Sequence, residues 1–453
     1  MKPKFPKVLF ALAHVFADAG YACYVVGGAL RNIAMGEEPD DYDIATDAAP
    51  EKVTELFRRT IPTGIKHGTV TVLFKGRTFE VTTFRTEGTY TDGRRPDSVD
   101  YVGTIEEDLS RRDFTINGMA YDLVEHQFVD PYGGMEDLEK RRVRAIGAPR
   151  ERFSEDGLRL LRCIRFAGRL GFSVEENTLQ ALKEEKSRIR AVSPERVRDE
   201  FSKTLLAKDP RSGLSLLRDT GLMEEFLPEL YRTRLTPQER GIDKNVLDHS
   251  IRSAAAAPAE SLTLRLAALF HDIGKFNTQE GTPPGPLSFH GHEVVSAEET
   301  AYVLRRLRYP NAVVDDVCHL IRHHMIRYDD SWSDGAVRRF VRTIGRGNLG
   351  NWFALRRADA LGKGLPIKES PGLRSLSDRI ETVLTEDSAL SVRDLAISGE
   401  DLAALGIPRG PEMGVVLRDL LETVLDDPEQ NRPEQLKTIA KRFYEERIRP
   451  ARE

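Results

Sequence analysis

The chain has 453 residues, enough for two to four domains of about 100–200 residues each. Charged residues make up 31% of it and hydrophobic residues 40%, a balance that excludes a membrane bundle, a collagen-like rod and a wholly disordered chain. The net charge at pH 7 is −5. Because net charge describes the whole surface, this value does not exclude a nucleic-acid partner that binds a local basic patch.

The cysteines favour a reducing compartment. Cys23, Cys163 and Cys318 are far apart in the sequence, and no CxxC pair occurs. A disulfide framework is therefore not expected, and the cytoplasm is the predicted location. No uninterrupted apolar stretch reaches about 18 residues, so no membrane span and no membrane partner are expected.

The first 140 residues carry the β-type patterns. Phe5, Leu9, Leu12 and Phe16 share one face of a predicted N-terminal helix. Strands are predicted over residues 21–26, 69–74 and 78–84. Beyond about residue 135 the apolar positions recur at helical spacing to the end of the chain. Polar or Gly- and Pro-rich stretches at 231–244 and 361–373 predict boundaries between helical regions.

Two glycines, Gly27 and Gly28, separate the first predicted strand from a helix with Arg31 in its first turn. Such a turn lets backbone N–H groups and a helix N-terminus approach a phosphate. An ordinary tight turn is the alternative for an isolated glycine pair.

Acidic residues follow the glycine turn. If Asp41 and Asp43 lie on one strand, their side chains share a face about 6–7 Å apart, close enough to bind a hard divalent cation such as Mg²⁺. Glu80 on the third predicted strand is a candidate third carboxylate. The alternatives are an acidic loop for the aspartates and a solvated strand charge for Glu80.

These residues carry a family resemblance. Gly-Gly-x-x-Arg followed by Asp-x-Asp is similar to the nucleotidyltransferase core of the DNA polymerase beta superfamily. Seven further segments resemble the bacterial class II tRNA nucleotidyltransferases, which are the CCA-adding enzymes. These segments span residues 64–70, 83–87, 94–96, 111–117, 130–134, 155–159 and 195–200.

The resemblance implies template-independent addition of CMP and AMP from CTP and ATP to the 3′ end of tRNA. Asp41 and Asp43 would be the catalytic ligands of Mg²⁺ in a two-metal phosphoryl transfer. Gly28, Arg31 and Arg112 would contact the triphosphate, and Asp113 would lie near the ribose. The remaining residues are implied to read the base or contact the nucleotide: Asp156, Arg159, Arg162 and Arg165.

Three features bear on the activity that the resemblance implies. The family usually has Asp after the arginine of Gly-Gly-x-x-Arg, whereas this chain has Asn32, which could alter how Arg31 is held. The loop at 88–96 resembles the complete loop of the family, which disfavours CC-only addition. Addition of the terminal A alone stays open, and residues 67–70 resemble the tRNA branch more than poly(A) polymerases.

A second cluster of chemistry-bearing residues follows. Seven of the ten histidines lie between His249 and His324. The order His249, His271-Asp272, Asp359 resembles that of the HD-superfamily metal phosphohydrolases. The resemblance implies that these four residues bind Ni²⁺, Mn²⁺ or another divalent transition metal. His292 and His324 are candidate ligands of a second metal, with His290 and His323 as less favoured neighbours. HD domains also persist as structural modules.

The resemblances predict an α+β chain with four regions. A small polymerase-beta-like α/β head would occupy 1–140, followed by a helical base-recognition neck at 141–230. An HD domain would occupy 245–365, and a helical tail at 366–453 would help bind tRNA. The alternative is an HD phosphohydrolase whose N-terminal region only binds RNA. Residues 138–170 hold ten basic residues against four acidic ones, which predicts a basic strip beside the nucleotide site.

Overall fold

The structure is a computed structural model that describes residues 3–64, 68–87, 99–238, 242–281, 285–365, 371–385 and 390–449. It divides into two compact units. The first consists of Met1–Leu235 and Tyr302–Asn311, and the second of Thr236–Ala301 and Ala312–Glu453. A search of the described residues finds no helix with the length and apolarity that crossing a membrane requires.

The head of the first unit is built on a seven-stranded mixed sheet in the order β3-β4-β5-β2-β1-β8-β9. The predicted strand at 69–74 is confirmed, and the one at 78–84 begins one residue earlier and ends one residue earlier. The seven strands are β1 (Tyr24–Val26), β2 (Asp43–Thr46), β3 (Thr60–Gly64), β4 (Thr69–Phe74), β5 (Arg77–Thr83), β8 (Ala120–Asp122) and β9 (Phe128–Val129). Strands β6 (Arg85–Glu87) and β7 (Val99–Tyr101) form a separate two-stranded antiparallel sheet. The α+β fold class is thereby confirmed.

Short helices cover this sheet. They are α1 (Lys7–Asp18), α2 (Gly28–Ala34), α3 (Pro50–Leu56), α4 (Ile105–Ser110) and α5 (Gly134–Glu139). Leu9, Leu12 and Phe16 of α1 are buried as predicted, while Phe5 precedes the helix. The core beneath α4 joins Ile105 and Leu109 to apolar side chains of β1, β2 and β8. This packing fixes α4 and the segment that follows it against the sheet.

A helical region completes the first unit. It contains α6 (Pro149–Glu155), α7 (Leu158–Leu170), α8 (Glu176–Glu185), α9 (Pro194–Leu205), α10 (Arg211–Asp219), α11 (Leu222–Phe226) and α12 (Pro228–Tyr231). Helix α7 packs against α10 at Gly168 and Gly213, where a Cβ on Gly168 would meet backbone at 2.8 Å. Two-residue strands β10 (Arg142–Val143) and β11 (Ser173–Val174) pair in parallel, a feature too short for a periodicity to reveal.

The second unit is helical. Its helices are α13 (Val246–Ala256), α14 (Leu262–Phe270), α15 (Lys275–Thr278), α16 (His292–Arg306), α17 (Asn311–Arg322), α18 (Asp334–Ile344), α19 (Leu349–Gly362), α20 (Pro371–Thr385), α21 (Gly399–Ala404), α22 (Pro411–Asp426) and α23 (Pro433–Phe443). Two of these helices, α16 and α17, share residues with Tyr302–Asn311, the segment that belongs to the first unit. Trp352 of α19 is fully buried against Phe340 and donates its indole N–H to the backbone oxygen of His323 at 2.9 Å. This core holds α17, α18 and α19 together.

Candidate active site and metal centre

One cavity of about 820 Å³ in the first unit is lined by all ten residues predicted to bind Mg²⁺ or the nucleotide. Its lining includes Gly28, Arg31, Asp41, Asp43, Arg112, Asp113, Asp156, Arg159, Arg162 and Arg165. Glu80 lines it as well. Carboxylates therefore share this cavity with a group of arginines, which is the charge pattern that a metal-bound nucleoside triphosphate needs.

The glycine turn brings backbone close to the arginines. Gly27 has φ 73°, a left-handed conformation that favours glycine, and a Cβ there would lie 3.0 Å from Nη1 of Arg112. At Gly28 a Cβ would lie 3.4 Å from Nη2 of Arg31. Glycine at both positions keeps the turn open to a phosphate beside these two guanidinium groups.

The carboxylates reach the cavity from neighbouring strands. Asp43 begins β2 and is in register with Glu80 on the parallel strand β5. Asp41 precedes β2, so the condition that both aspartates lie on one strand is not met; the regular pairing of β2 with β1 begins only at Asp43. Burial raises the pKa of Asp43, the nearby charge of Asp41 raises it further, and Arg112 opposes both effects.

Asp108 anchors two cavity arginines. Asp108 lies on α4, which begins with a capping box formed by Thr104 and Glu107. This cap fixes the first turn of α4. Asp108 Oδ1 accepts from Arg111 Nη2 at 2.8 Å, and its Oδ2 accepts from Arg112 Nη2 at 3.2 Å. Burial alone would raise the pKa of Asp108, but Arg112 and Arg111 together hold it below its ordinary value. The arginines are thus positioned by a buried carboxylate.

Asp113 has partners for both carboxylate oxygens. Oδ1 accepts from the Phe114 N–H at 2.8 Å and from Asn117 Nδ2 at 3.2 Å, while Oδ2 accepts from Arg162 Nε at 2.7 Å. Burial acts to raise the pKa of Asp113, but the charge of Arg162 and the hydrogen bonds from Asn117 and Arg162 together hold the pKa below its ordinary value. The carboxylate therefore ties the end of α4 to α7.

Asp156 and Arg159 both line the cavity, but they do not share a helix as the spacing predicted. Asp156 is where α6 ends, and its Oδ1 accepts from the N–H of Leu158, the first residue of α7, at 3.0 Å. Its Oδ2 accepts from Arg196 Nη2 at 2.7 Å. Arg159 donates to Glu155 Oε2 at 2.5 Å and to the backbone oxygen of Arg111 at 3.1 Å. The two side chains are fixed by separate partners.

Further lining residues had no assignment from the sequence. They include Arg169 and Lys203, together with Arg111, Asn117 and Arg196 from the quoted motifs. Arg169 continues the row of arginines along α7 and could have been found from its spacing. Lys203 lies on α9, and nothing in the sequence connects it to this cavity. The loop at 88–96 and His67 lie outside the described residues.

In the second unit the predicted metal ligands come together. His249 Nε2 lies 3.2 Å from His271 Nε2 and 3.1 Å from Asp359 Oδ1. Asp272 Oδ2 lies 3.3 Å from His271 Nε2, and its Oδ1 lies 3.3 Å from His292 Nε2. His324 Nε2 lies 3.7 Å from Asp272 Oδ1. Two groups able to hold a metal ion therefore share Asp272: one with His249 and His271, the other with His292 and His324.

Backbone carbonyls orient three of these histidines. The Nδ1 atoms of His271, His292 and His324 lie 2.8, 2.8 and 2.6 Å from the carbonyl oxygens three residues earlier in the chain. An Nδ1–H that donates there leaves the Nε2 lone pair directed into the cluster, as metal-binding histidines require. His290 and His323 are the less favoured candidates for binding the second metal. His290 is exposed, and the ring of His323 packs against the ring of His319.

The charges of this cluster are strongly coupled. Burial acts to lower the pKa of His271, but Asp272 and Asp359 raise it to about 9. Burial acts to raise the pKa of Asp272 and of Asp359, and the surrounding histidines and lysines hold both values well below the ordinary range. Lys275 and Lys363 donate to the two carboxylates, at 2.7 and 2.8 Å.

Models of known families match three parts of the chain. The Poly A polymerase head domain matches residues 23–144, which hold the glycine turn and the carboxylates. The probable RNA and SrmB-binding site of polymerase A matches residues 171–232. The HD domain matches residues 246–380, which hold the histidine–aspartate cluster.

Curated relatives extend over nearly the whole chain. The CCA-adding enzyme of Lactobacillus johnsonii is 33% identical over 415 residues, 90% of this chain and 90% of that protein. The CCA-adding enzyme of Lactococcus lactis is 34% identical over 421 residues, 91% of this chain and 92% of that protein. The crystal structure of the Bacillus stearothermophilus CCA-adding enzyme in complex with CTP covers 98% of each chain, with a TM-score of 0.75 and 28% identity. The predicted family is confirmed: the chain belongs to the CCA-adding enzymes, which are nucleotidyltransferases, and it carries an HD domain.

Proposed function

We propose that this chain completes the 3′ end of tRNA by adding CMP and AMP from CTP and ATP without a nucleic-acid template. The observation that carries the proposal is the single cavity in which Asp41, Asp43 and Glu80 face a group of arginines. The relatives are named CCA-adding enzymes, which supports full CCA addition over addition of the terminal A alone or RNA binding without transfer.

The carboxylates fit Mg²⁺. Burial and the neighbouring charge of Asp41 raise the pKa of Asp43. A bound cation would relieve the repulsion between the two carboxylates. Asp41 and Asp43 would hold the ions, which activate the terminal hydroxyl of the tRNA and offset charge on the leaving pyrophosphate. Glu80, in register with Asp43, is a third candidate ligand.

The other residues bind and orient the nucleotide. Gly28, Arg31 and Arg112 would hold the triphosphate so that the tRNA 3′ oxygen attacks the α-phosphorus in line with the departing pyrophosphate. Asp156 and Arg159 would read the base edge by accepting and donating hydrogen bonds. Arg162 and Arg165 would contact the same nucleotide, and Asp113, near the ribose, would fix Arg162.

Extension assays test the transfer reaction. We expect tRNA ends lacking A, CA or CCA to be completed with Mg²⁺, CTP and ATP, and the combined change Asp41→Ala and Asp43→Ala to reduce incorporation by at least about 10³-fold. Asp40→Ala is the matched control, because Asp40 is exposed and does not line the cavity. Incorporation that survives the double change would refute the assignment, and extension only of the end lacking A would identify an A-adding enzyme.

The base-reading assignment has its own test. Asp156→Ala and Arg159→Ala should relax the choice among the four triphosphates, because each removes hydrogen-bonding groups at the base. Arg150→Ala is the control, since Arg150 lies on α6 outside the cavity and pairs with Glu184. Unchanged selectivity for CTP and ATP in both cavity variants would rule out this role.

We further propose that the HD cluster binds divalent transition metal and hydrolyses phosphate esters. His249, His271, Asp272 and Asp359 would hold the first ion, and Asp272, His292 and His324 a second. The carbonyl-fixed histidines support this donor set. A bound ion would activate water for attack on the ester phosphorus.

Metal analysis and phosphatase assays test the HD proposal. With Ni²⁺ or Mn²⁺ we expect hydrolysis of a cyclic phosphate or a nucleoside monophosphate that Asp272→Ala abolishes while tRNA extension persists. Asp316→Ala, an exposed change on α17, is the control. His292→Ala should lower the metal content from two ions per chain to one. A metal-free wild-type protein after exposure to both ions would contradict the proposal.

We place the chain in the cytoplasm, where reduced thiols and tRNA substrates are both present. Cys23, Cys163 and Cys318 form no disulfide bond, which supports this location.

A further inference from the structure

The carboxylate of Asp156 is held at both of its oxygens. Oδ1 accepts from the backbone N–H of Leu158 at 3.0 Å, and Oδ2 accepts from Arg196 Nη2 at 2.7 Å. The terminal torsion of an aspartate is intrinsically broad, so these two contacts determine which way the carboxylate faces. The contact with Leu158 is local, whereas the contact with Arg196 comes from a helix 40 residues further along the chain.

Close backbone packing brings Arg196 to this carboxylate. A Cβ at Gly157 would lie 2.6 Å from the backbone oxygen of Arg188 and 3.2 Å from Cγ2 of Val192. Glycine therefore lets the segment that precedes α9 lie against the start of α7. Arg196 is in the first turn of α9, which packs on α7, and it lines the cavity together with Asp156.

The two contacts leave room for a base at Asp156. An ionised carboxylate only accepts hydrogen bonds, and its two oxygens have about four lone-pair positions, of which Leu158 and Arg196 use two. Cytosine and adenine present an amino group where uracil and guanine present an oxygen. A carboxylate fixed at this edge of the base would accept from cytosine and adenine and would repel uracil and guanine.

We propose that Arg196 is a positioning residue for base selection, whose guanidinium fixes the Asp156 carboxylate in the orientation that accepts from the amino groups of cytosine and adenine. The inference rests on the proposed transferase function, because it names how that site selects its substrates. Arginine suits this role, since its planar guanidinium is always charged and directs its N–H groups in a rigid fork, which a lysine lacks.

Two substitutions of Arg196 test the proposal. Arg196→Met removes every donor, and Arg196→Lys keeps the charge without the fork. We expect Arg196→Met to lower the ratio of kcat/KM for CTP over UTP, and for ATP over GTP, by at least about fivefold, and Arg196→Lys to lower both ratios less, by at least about twofold.

Arg198→Met is the matched control. Arg198 lies on the same helix, its side chain is 25% exposed against 28% for Arg196, and it pairs with Asp199 outside the cavity. Both ratios should keep their wild-type values in this variant, because the same chemical change is made away from Asp156.

A double-variant cycle separates positioning from direct contact. If Arg196 acts through Asp156, adding Arg196→Met to Asp156→Ala should leave the selectivity of Asp156→Ala unchanged. A further loss in the double variant would mean that Arg196 contacts the base itself, which overturns the positioning role.

The remaining outcomes distinguish this inference from the function on which it rests. Relaxed selectivity in Asp156→Ala with a CTP-to-UTP ratio within about twofold of wild type in folded Arg196→Met overturns the inference alone. If Arg196→Met does not fold, the same result in Arg196→Lys overturns it. Unchanged selectivity in Asp156→Ala refutes base reading by Asp156 and this inference together. If wild type extends no tRNA, the transferase function fails, and calorimetric affinities for CTP and UTP make the same comparison.

Discussion

Three guanidinium groups contact the aromatic ring of Phe166. The Cζ atoms of Arg165, Arg31 and Arg162 lie 4.2, 5.2 and 5.4 Å from its centroid. Phe114 meets the ring edge-on at a centroid distance of 5.8 Å and fixes its orientation. Because the face of an aromatic ring is electronegative, Phe166 offsets part of the repulsion among these arginines.

We expect Phe166→Leu to raise the KM for CTP and ATP by about three- to thirtyfold, the scale of a lost cation–π interaction of about 0.5–2 kcal/mol. Phe166→Tyr retains the ring and should stay close to wild type, which makes it the matched variant. Steady-state extension kinetics measure both. Equal losses in the two variants would contradict this role, because Phe166→Tyr keeps the aromatic ring.

Asp108 makes stability depend on pH. Its folded pKa lies below the ordinary value, so its pairing with Arg111 and Arg112 contributes fully above about pH 4, and the contribution is lost as pH falls through the folded pKa. We expect Asp108→Asn to lower the free energy of unfolding by about 1–3 kcal/mol near neutral pH. Urea unfolding followed by circular dichroism measures the difference.

The pH profile distinguishes this pair from general packing. The difference between wild type and Asp108→Asn should be constant above about pH 5 and shrink below about pH 4. Glu107→Gln, a change in the cap of the same helix at an exposed position, provides the comparison for a solvent-facing carboxylate. A difference that stays constant to acid pH would mean that the carboxylate charge is not the stabilising feature.

At the level of elements, sequence patterns predicted the strand at 69–74, the strand–glycine–helix turn and the meeting of Asp41 and Asp43. These depend on local spacing and turn chemistry. The pairing of Asp156 with Arg196 joins side chains 40 residues apart, and the placement of Lys203 depends on how α9 packs on α7. Tertiary packing of this kind leaves no periodic signal. Asp156 itself lies between α6 and α7, where it accepts from the N–H of Leu158, whereas the spacing predicted one helix for Asp156 and Arg159.

Gly27 and Gly36 provide a matched pair for testing the glycine turn. Both have positive φ, 73° and 78°, but a Cβ at Gly36 meets nothing within 4 Å, whereas at Gly27 it approaches Arg112 at 3.0 Å. We expect both alanine changes to destabilise the protein by about 1 kcal/mol through backbone strain. Only Gly27→Ala should lower kcat/KM for extension, by at least about tenfold, since it displaces Arg112, which we propose to bind the triphosphate.

Thermal melting and extension kinetics on the same preparations make the comparison. Equal melting temperatures with unequal activity would establish that the turn serves the site rather than the fold. Equal activity in the two variants would contradict a functional role for the close backbone approach at Gly27.

At the scale of the whole molecule, the basic strip predicted at 138–170 brings fewer positive charges to the cavity than its composition indicates. Four of its ten basic residues line the cavity: Arg159, Arg162, Arg165 and Arg169. Others are neutralised elsewhere; Arg142 and Arg144 pair with the buried Asp137, and Arg150 pairs with Glu184. Neither the net charge of −5 nor the count of charged residues in this segment distinguishes such paired arginines from those that line the cavity.

Arg169 is the residue that best distinguishes arginines in the cavity from exposed, paired arginines. It lines the cavity and has no carboxylate partner in the part of the chain that the structure describes, whereas Arg150 is 65% exposed and paired. Each phosphate contact contributes about one unit to the slope of log K against log salt. Arg169→Ala should therefore reduce the slope for tRNA lacking CCA, in the presence of CTP, by about one, and Arg150→Ala should leave it unchanged. Filter binding between about 50 and 300 mM KCl measures both slopes. Equal slopes for the two variants would mean that exposed basic surface, rather than the cavity, binds the nucleic acid.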